Sequence, residues 1–487
     1  MNRSSILALA LIMLLGLALR VYHLHDPILD HPAWRQGDES SIARNFLELR
    51  NNIFYPQTDY NGPPPHYVEL ELQIVPYAAA QLYRLFGVHE VFARLLVIAF
   101  SLATIPLMYL LGSEVYASRR AGSIAALLFA IAPGAVYYGR AIIPESVMLC
   151  FCVGALLYWW RWIDRRRLAD FVLAALFAAL AFLAKPPALL IVAPMLALWF
   201  VKVRRFSDWS LYALLAASVA PLWLYFRHVH SIAEWHWASG ITSKHVIPTL
   251  WAETTSLSSL LAGLQSTLAL LKMLATTILG PVMFGLLLLA AATQPRDRVA
   301  ARSAFFGAWI AALCAYAFVV VNVERVDYYL MLFVPFAALS IAGSLDYLLS
   351  LGSPQLEGRT IVALAAALCV TVYINMLEVH PYYTWSRAVY AAANEVRRTL
   401  PPDTLIVMGH YDPSVLYTIG HRGWEEDPLL WSVRDMTSAI HKGARYFVAI
   451  EVPRLRANRQ LSAFLQRYQL VPTHSGWEVY DLRHRRR

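Results

Sequence analysis

The apolar stretch SILALALIMLLGLAL, residues Ser5 to Leu19, decides the first feature of the fold. Arg3 precedes this stretch. The residues that follow it are Arg20, Tyr22 and His23, where a cleaved signal peptide would need small residues. The stretch therefore predicts an uncleaved first transmembrane helix.

Further apolar runs predict a polytopic α-helical membrane protein. Hydrophobic residues make up 58% of the chain and charged residues 15%, against about 25% charged in an average soluble domain. A run of about 18 to 22 residues spans roughly 30 Å of hydrocarbon. We place ten such runs near residues 93–112, 121–138, 145–161, 168–185, 187–203, 208–226, 270–292, 303–321, 328–348 and 360–377. With the first helix, they predict about eleven transmembrane helices.

Basic residues predict the orientation, because cytoplasmic loops of membrane proteins carry an excess of lysine and arginine. A cytoplasmic N-terminus puts every short basic cluster on the cytoplasmic side: Arg119, Arg120, Arg161, Arg165 to Arg167, Lys202, Arg204, Arg205, Arg296, Arg298, Arg302 and Arg359. These clusters also explain the net charge of +9 without a nucleic-acid partner. The loops 24–92 and 227–269 and the C-terminal segment then lie outside the cytoplasm.

The first outer loop, residues 24–92, predicts two helices that lie in the membrane interface. Asp38 to Arg50 has its apolar residues on one helical face, and Glu69 to Phe86 is apolar after two initial carboxylates. The stretch NGPPP at 61–65 predicts a rigid turn between them.

The C-terminal segment predicts a small α/β domain. Leu405 to Met408 and Tyr446 to Ile450 are typical of buried strands. Predicted helices surround them at Ala388 to Leu400, Asp412 to Thr418, Leu429 to Ile440 and Leu461 to Tyr468. The chain therefore divides into a transmembrane domain at 1–377 and a soluble extracytoplasmic α/β domain at 378–487.

Polar side chains at the outer helix ends mark the candidate site. Charges this close to hydrocarbon are costly unless they are paired or used. They come from separate chain segments: Asp38, Glu39, Glu69, Glu71, Arg140, Glu145, Lys185, Arg325, Asp327, Tyr328 and Tyr329.

Five stretches resemble a known family when they are taken in order. They are HPAWRQGDESSIARNF from 31, PPPHYVELELQIVPYAAAQLYRLFGVHEVFARL from 63, YYGRAIIPES at 137–146, FLAKPPALL at 182–190 and RVDYYLMLFVP at 325–335. They are similar to membrane glycosyltransferases of the GT-C type, in the branch of protein O-mannosyltransferases and the lipid A aminoarabinose transferase. The resemblance covers roughly the first 350 residues and leaves the C-terminal domain without a match.

The resemblance implies the transfer of one sugar from a polyprenyl-phosphate donor, with inversion, to an acceptor outside the cytoplasm. Asp38 matches the first residue of the family's acidic pair and is the expected base, with Glu39 anchoring the loop or orienting Asp38. The donor's phosphate needs positive charge, for which Lys185 and Arg325 have the right depth. Arg140 is a third candidate for that phosphate, and Tyr328 and Tyr329 are candidates for the donor lipid. Three carboxylates are candidates for the acceptor or a second acidic site: Glu69, Glu71 and Glu145.

The resemblance also implies the partners and the location. The acceptor is an envelope lipid, polysaccharide or protein, and the enzyme lies with its membrane lipids in a bacterial inner membrane. No cofactor is expected to be required; a divalent metal remains possible but is not indicated. The histidines of loop 227–269 are interleaved with tryptophans, which favours a loop that covers the lipid tail over a metal site. Four cysteines lie in apolar runs without metal-ligand spacing.

Structural roles remain open for most of these residues. Asp38 could cap the following helix, one of Glu69 and Glu71 could be a cap, and Glu145 could be an interface cap after Pro144. Lys185 could extend to the lipid head groups, and Arg140 could pair with Glu145. The two tyrosines could belong to an aromatic belt.

Two other functions compete with sugar transfer. A transporter or flippase of lipid-linked sugars would tend to show internal repeats and broken helices at the membrane midplane, whereas the charges here cluster at one surface. A scaffolding subunit would bind envelope partners through the C-terminal domain and would neither bind nor cleave a polyprenyl-phosphate sugar.

Overall fold

The computed structural model describes residues 3–205, 207–234, 236–253, 255–293, 300–351 and 358–486. Arg296 and Arg298, predicted to lie in a cytoplasmic loop, fall outside the described residues. Six described helices are long and apolar enough to cross a membrane, or seven if one bent pair is a single span. The chain is therefore a multi-pass helical protein, and the number of eleven spans and the orientation stay predictions.

The helices of the first part of the chain follow the apolar runs closely. They are α1 Arg3–Arg20, α2 Ala33–Glu48, α3 Ile74–Phe86, α4 Glu90–Tyr116, α5 Arg119–Ile131, α6 Pro133–Tyr137, α7 Glu145–Arg165, α8 Leu168–Ala184, α9 Val192–Lys202, α10 Trp209–Ile232, α11 Trp237–Gly240, α12 Ile247–Glu253, α13 Leu257–Met273, α14 Pro281–Thr293, α15 Ala300–Tyr316, α16 Asn322–Glu324, α17 Phe333–Leu351 and α18 Gly358–Val379. Short 3₁₀ turns at Pro186–Ile191 and Asp327–Leu332 lead into α9 and α17.

The predicted span at 270–292 is not one continuous helix. Its two halves, Gln265–Ile278 and Pro281–Thr293, are bent by 114°. Gly280 lies in the break with φ +81°, a backbone conformation that favours glycine, and Pro281 starts the next helix. The apolar run at 270–292 is therefore helical on both sides of a break, and hydropathy does not register such a break.

The first outer loop contains both predicted helices, but each has different bounds. Helix α2 begins at Ala33, five residues before the predicted start, so Asp38 lies in its second turn. Helix α3 begins only at Ile74, and Glu69 and Glu71 precede it. The prediction that those two carboxylates begin a helix was wrong. The backbone amide of Leu72 instead donates to Leu183 of α8.

The C-terminal segment folds as a small α/β domain, as the pattern predicts. The helices are α19 Arg387–Thr399, α20 Pro413–Ile419, α21 Val433–His441, α22 Val452–Ala457 and α23 Arg459–Leu465, and the strands are β1 Leu405–Gly409, β2 Arg422–Glu425, β3 Tyr446–Ala449, β4 Tyr468–Val471 and β5 Glu478–Arg485. The sheet has the order β2-β1-β3-β5-β4, with β1 parallel to β2 and β3 and the other pairs antiparallel. Three strands were not predicted because they are short or half exposed.

The C-terminal domain packs directly on the first outer loop. A Cβ atom added to Gly37 of α2 would lie 2.4 Å from the backbone nitrogen of Ser414 in α20. The two helices can approach this closely only because residue 37 has no side chain. This contact lies beside Asp38, so the sheet domain forms one wall of the region that the sequence marks as the site.

Candidate functional site

Arg35 is the centre of a buried group of three carboxylates. Helical spacing on α2 brings Arg35 within 3.7 Å of Asp38 and 2.8 Å of Glu39. Glu71, from the segment before α3, forms a third ion pair with the same guanidinium. All four side chains are at most 10% exposed. One guanidinium therefore faces three carboxylates in a region with little water, and the pKa values of Asp38 and Glu39 are raised.

Asp38 has the environment of a base that can exchange a proton near neutral pH. Its Oδ1 accepts a hydrogen bond of 2.8 Å from the hydroxyl of Tyr60, and the residue is 5% exposed. Burial raises the pKa of Asp38 to about 7, although Arg35 and the Tyr60 hydroxyl both lower it. The capping role is excluded, because Pro32 occupies the N-cap position of α2.

Glu39 is also paired with Arg35, and it is less exposed than Asp38. Burial raises the pKa of Glu39, and the neighbouring carboxylates of Glu71 and Asp38 raise it further. Two adjacent carboxyl groups with raised pKa values are an arrangement that occurs at sites of proton transfer.

Lys185 is held between one carboxylate and two aromatic rings. Its ammonium group forms an ion pair with Glu145, at the start of α7. The nitrogen also lies 4.7 Å from the ring centre of Tyr328 and 4.6 Å from that of Tyr329. The structure thus brings these four predicted residues together at one end of the helical bundle. Lys185 does not merely extend to the lipid head groups, since its side chain is 9% exposed.

The two groups are neighbours. The residues that line a small cavity of about 10 Å³ include Glu39 and Glu71, and also Pro144 and Ala184, which precede Glu145 and Lys185 in the chain. The ion pair of Lys185 and Glu145 therefore lies close to the buried acids, near enough for the Glu145 carboxylate to raise the pKa of Glu39.

Arg140 and Arg325 lie apart from this centre. Arg140 is completely buried, pairs with Asp30 and stacks 4.7 Å from the ring centre of Tyr383. Its expected structural pairing with Glu145 was wrong, because Asp30 is the partner. Arg325 is exposed and donates to Ser266 Oγ at 2.9 Å.

Glu69 belongs to a different cluster from Glu71. Its carboxylate accepts hydrogen bonds from His230 at 2.9 Å and from the Ser239 hydroxyl at 2.8 Å. His236 lies 3.7 Å away, and ligand atoms of Glu69, His230 and His236 lie within 4.8 Å of one another. Among the described residues, these three could hold a metal ion such as zinc. The expectation that no metal is required stays a prediction; Trp235 of this loop is outside the described residues.

Sequence reasoning missed four residues that contact or face Asp38, namely Arg35, Tyr60, Asp412 and Glu425. Arg35 precedes Asp38 by three residues and Glu39 by four, a spacing that predicts helical ion pairs. Tyr60 and Glu425 have no such sequence spacing that would have marked them as neighbours of Asp38. Glu425 comes from β2, has a buried Oε2 without a hydrogen-bond partner among the described residues, and has its pKa raised by burial and by Asp38.

Comparisons with known proteins point to one class. Residues 73–226 match the family described as dolichyl-phosphate-mannose-protein mannosyltransferase. No curated protein matches the sequence. The structure of ArnT from Cupriavidus metallidurans in the apo state matches with a TM-score of 0.63 and 14% identity, over 97% of both chains.

Two further structures contain lipid phosphates. ArnT from Cupriavidus metallidurans bound to undecaprenyl phosphate matches with a TM-score of 0.62 and 14% identity, over 97% of each chain. The archaeal oligosaccharyltransferase AglB from Archaeoglobus fulgidus, in complex with an inhibitory peptide and a dolichol-phosphate, matches with a TM-score of 0.58 and 13% identity. That match covers 98% of this chain and 74% of AglB. The chain therefore has the GT-C fold of these structures, and its residues 73–226 match the model of the dolichyl-phosphate-mannose-protein mannosyltransferase family.

Proposed function

We propose that this protein is an inverting glycosyltransferase that moves a single sugar from a polyprenyl-phosphate donor to an extracytoplasmic acceptor in the bacterial cell envelope. The acceptor is a lipid, such as a lipopolysaccharide group, a polysaccharide or a protein. The observation that carries the proposal is the buried Asp38, hydrogen bonded to Tyr60 and paired with Arg35, in a group that adjoins the Lys185 cation.

Asp38 is the proposed base. The acceptor's hydroxyl or amine gives its proton to the carboxylate as its oxygen or nitrogen forms a bond to the anomeric carbon. The bond from that carbon to the phosphate oxygen breaks, and both electrons leave with the polyprenyl phosphate. A single displacement inverts the anomeric carbon and needs no covalent intermediate. Glu39 and Glu71 hold Arg35 in place beside the base.

Lys185 is the proposed ligand of the donor phosphate. In the described structure its charge is matched by Glu145, so an arriving phosphate would share or replace that partner. Tyr328 and Tyr329 flank the ammonium group and offer an apolar surface to the donor's isoprenoid chain. The lipid phosphates in the ArnT and AglB structures support this donor class.

Arg325 is proposed as a second, more exposed cation for the phosphate. Arg140 was a further candidate for that role, but its pairing with Asp30 favours a supporting role. Glu69 is proposed for the acceptor side.

The proposed location is the bacterial inner membrane, with the N-terminus in the cytoplasm. The distribution of basic residues supports this orientation. Residues 1–377 would then be the transmembrane catalytic domain and residues 378–487 an extracytoplasmic domain.

Purified protein in lipid nanodiscs tests the proposal. It is incubated with a panel of undecaprenyl-phosphate sugars and with envelope glycolipids, polysaccharides and proteins as acceptors. We expect release of undecaprenyl phosphate and a matching gain in mass of one acceptor. In sealed vesicles, a flippase would instead move the intact donor across the bilayer without cleaving it, and that result would contradict the proposal.

A further inference from the structure

We propose that Tyr60 is a positioning residue through which the C-terminal domain holds the carboxylate of Asp38 in place for proton transfer. This inference rests on the proposed function, because it concerns the base of the same reaction. The inference gives Tyr60, a residue of the first outer loop, a role in the reaction. It also explains why the C-terminal domain packs against that loop.

The ring of Tyr60 belongs to the core of the C-terminal domain. It is 4% exposed and packs in a cluster whose other buried members, among the described residues, all come from that domain, including Ile406, Met408 and Val415. The hydroxyl of Tyr60 faces α2, where it donates a hydrogen bond to Asp38 Oδ1 at 2.8 Å. The side chain therefore links the packing of one domain to a single oxygen atom in the other.

The backbone on both sides of Tyr60 is fixed by the same domain. The amide of Gly423 in β2 donates to the carbonyl oxygen of Asp59 at 2.8 Å, and the amide of Gly62 donates to the carbonyl oxygen of Gly423 at 2.7 Å. Gly423 has φ +147°, and an added Cβ would lie 2.0 Å from the carbonyl oxygen of Ile406. Only glycine fits there, so the pairing of β2 with β1 depends on Gly423, the residue whose backbone also bonds to the loop on both sides of Tyr60.

The opposite side of Asp38 is also fixed. Gly37 brings the backbone of α2 against Ser414 with no room for a side chain. Asp38 is thus held by its own helix, which contacts α20, and by Tyr60, which is anchored in the sheet domain. A displacement of the C-terminal domain would move the donor of this hydrogen bond, and the carboxylate with it.

The charge around Asp38 makes this one hydrogen bond important. The titratable and charged groups that face its carboxylate from neighbouring elements are Arg35, Glu39, Glu71, Tyr60, Asp412 and Glu425. Four of the six are carboxyl groups, and Arg35 is shared among three acids. The Tyr60 hydroxyl favours the ionised form of Asp38 without adding charge, and it lowers a pKa that burial raises.

Tyr60→Phe removes the hydroxyl and keeps the ring in its core. The pKa of Asp38 should rise by about one unit, since a hydrogen bond to a charged group is worth at least that much. Transfer should then be about tenfold slower than in the wild type at pH 6 and nearly equal at pH 9. A residue with a purely structural role would lower the rate by the same factor at every pH.

A matched control is Tyr417→Phe. Tyr417 of α20 also donates to a carboxylate across the domain contact, at 3.1 Å to Glu90, but away from Asp38. This variant should keep the wild-type pH profile. Thermal unfolding of both variants in detergent checks that each is folded.

Infrared difference spectroscopy provides a readout that does not need activity. The carbonyl band of the protonated Asp38 carboxyl is assigned by its loss in Asp38→Asn and is followed from pH 5 to pH 9. We expect a higher midpoint in Tyr60→Phe than in the wild type and in Tyr417→Phe. Equal midpoints in all three proteins would overturn the inference whether or not the protein transfers sugars. A raised midpoint without any transferase activity would instead contradict the proposed function alone.

Discussion

The pair of Lys185 and Glu145 allows a test that separates stability from donor binding. Both side chains are nearly inaccessible, 9% and 1% exposed, and Lys185 is the cation that contacts Glu145 among the described residues. Lys185→Met keeps a flexible chain against the rings of Tyr328 and Tyr329 but removes the charge. Breaking a buried pair by removing one partner costs about 3–5 kcal/mol. The free energy of unfolding of Lys185→Met should fall by that amount.

The double variant Glu145→Gln, Lys185→Met should recover most of the lost stability, because it leaves no unpaired buried charge. Neither Lys185→Met nor the double variant should bind the donor well, because both lack the ammonium group of Lys185. A charged hydrogen bond is worth about 1.5–3 kcal/mol, so undecaprenyl phosphate should bind about 10- to 100-fold more weakly to the double variant than to the wild type. The glutamate substitution alone, Glu145→Gln, is the control that keeps Lys185.

Denaturant titration in detergent micelles measures the stability of each variant, and native mass spectrometry measures binding of undecaprenyl phosphate. An unchanged unfolding transition in Lys185→Met would mean that the ion pair contributes nothing to the fold. Wild-type affinity in the folded double variant would refute the assignment of Lys185 to the phosphate.

Further outcomes follow from the same geometry. The transfer rate of the wild type should decline below about pH 7 and lose about tenfold per unit below pH 6, because Asp38 must be ionised to act and its pKa is about 7; a flat profile from pH 5 to pH 8 would rule it out as the base. Gly37→Ala should weaken the contact of α2 with Ser414 and lower the rate and the melting temperature together, which kinetics and thermal unfolding would show. Arg35→Gln should raise the pKa of Asp38, so that its activity recovers only at high pH; a uniform loss at all pH values would contradict this. Exhaustive EDTA treatment should leave donor cleavage intact, because the proposed displacement uses no metal; a loss of cleavage that accompanies loss of a bound metal, measured by metal analysis, would contradict this.

The membrane part of the fold could be predicted because hydrophobicity acts over whole segments. The predicted apolar runs are helical over most of their length, with breaks such as those at Ala132 and Gly280, since a chain inside a bilayer must satisfy its own backbone hydrogen bonds. Local features such as bends and non-helical stretches were harder to predict from the sequence. The non-helical stretch from Glu69 to Gln73 depends on contacts with distant segments, such as the bond from Leu72 to Leu183, and the bend at Gly280 depends on a backbone conformation that hydropathy does not register.

The sequence predicted which residues form the candidate site better than it predicted which of them contact one another. Lys185 and Glu145 were expected near the membrane surface because isolated charges there are costly, and the structure pairs them. Their partnership was not predicted, because they are separated by a whole helical hairpin. Tyr60 could not be found at all, since its importance comes from a domain about 340 residues further along the chain.

The most direct test of the central claim is the rate of sugar transfer by Asp38→Asn at pH 8, where the wild-type carboxylate is mostly ionised. Asparagine has nearly the same shape and can still accept the hydrogen bond from Tyr60, so the variant should fold and bind undecaprenyl phosphate as the wild type does. We expect transfer to fall by about 10²–10⁴-fold, the usual contribution of a general base. Transfer within a few fold of the wild type, by a protein that is folded and binds the donor, would contradict the assignment of Asp38.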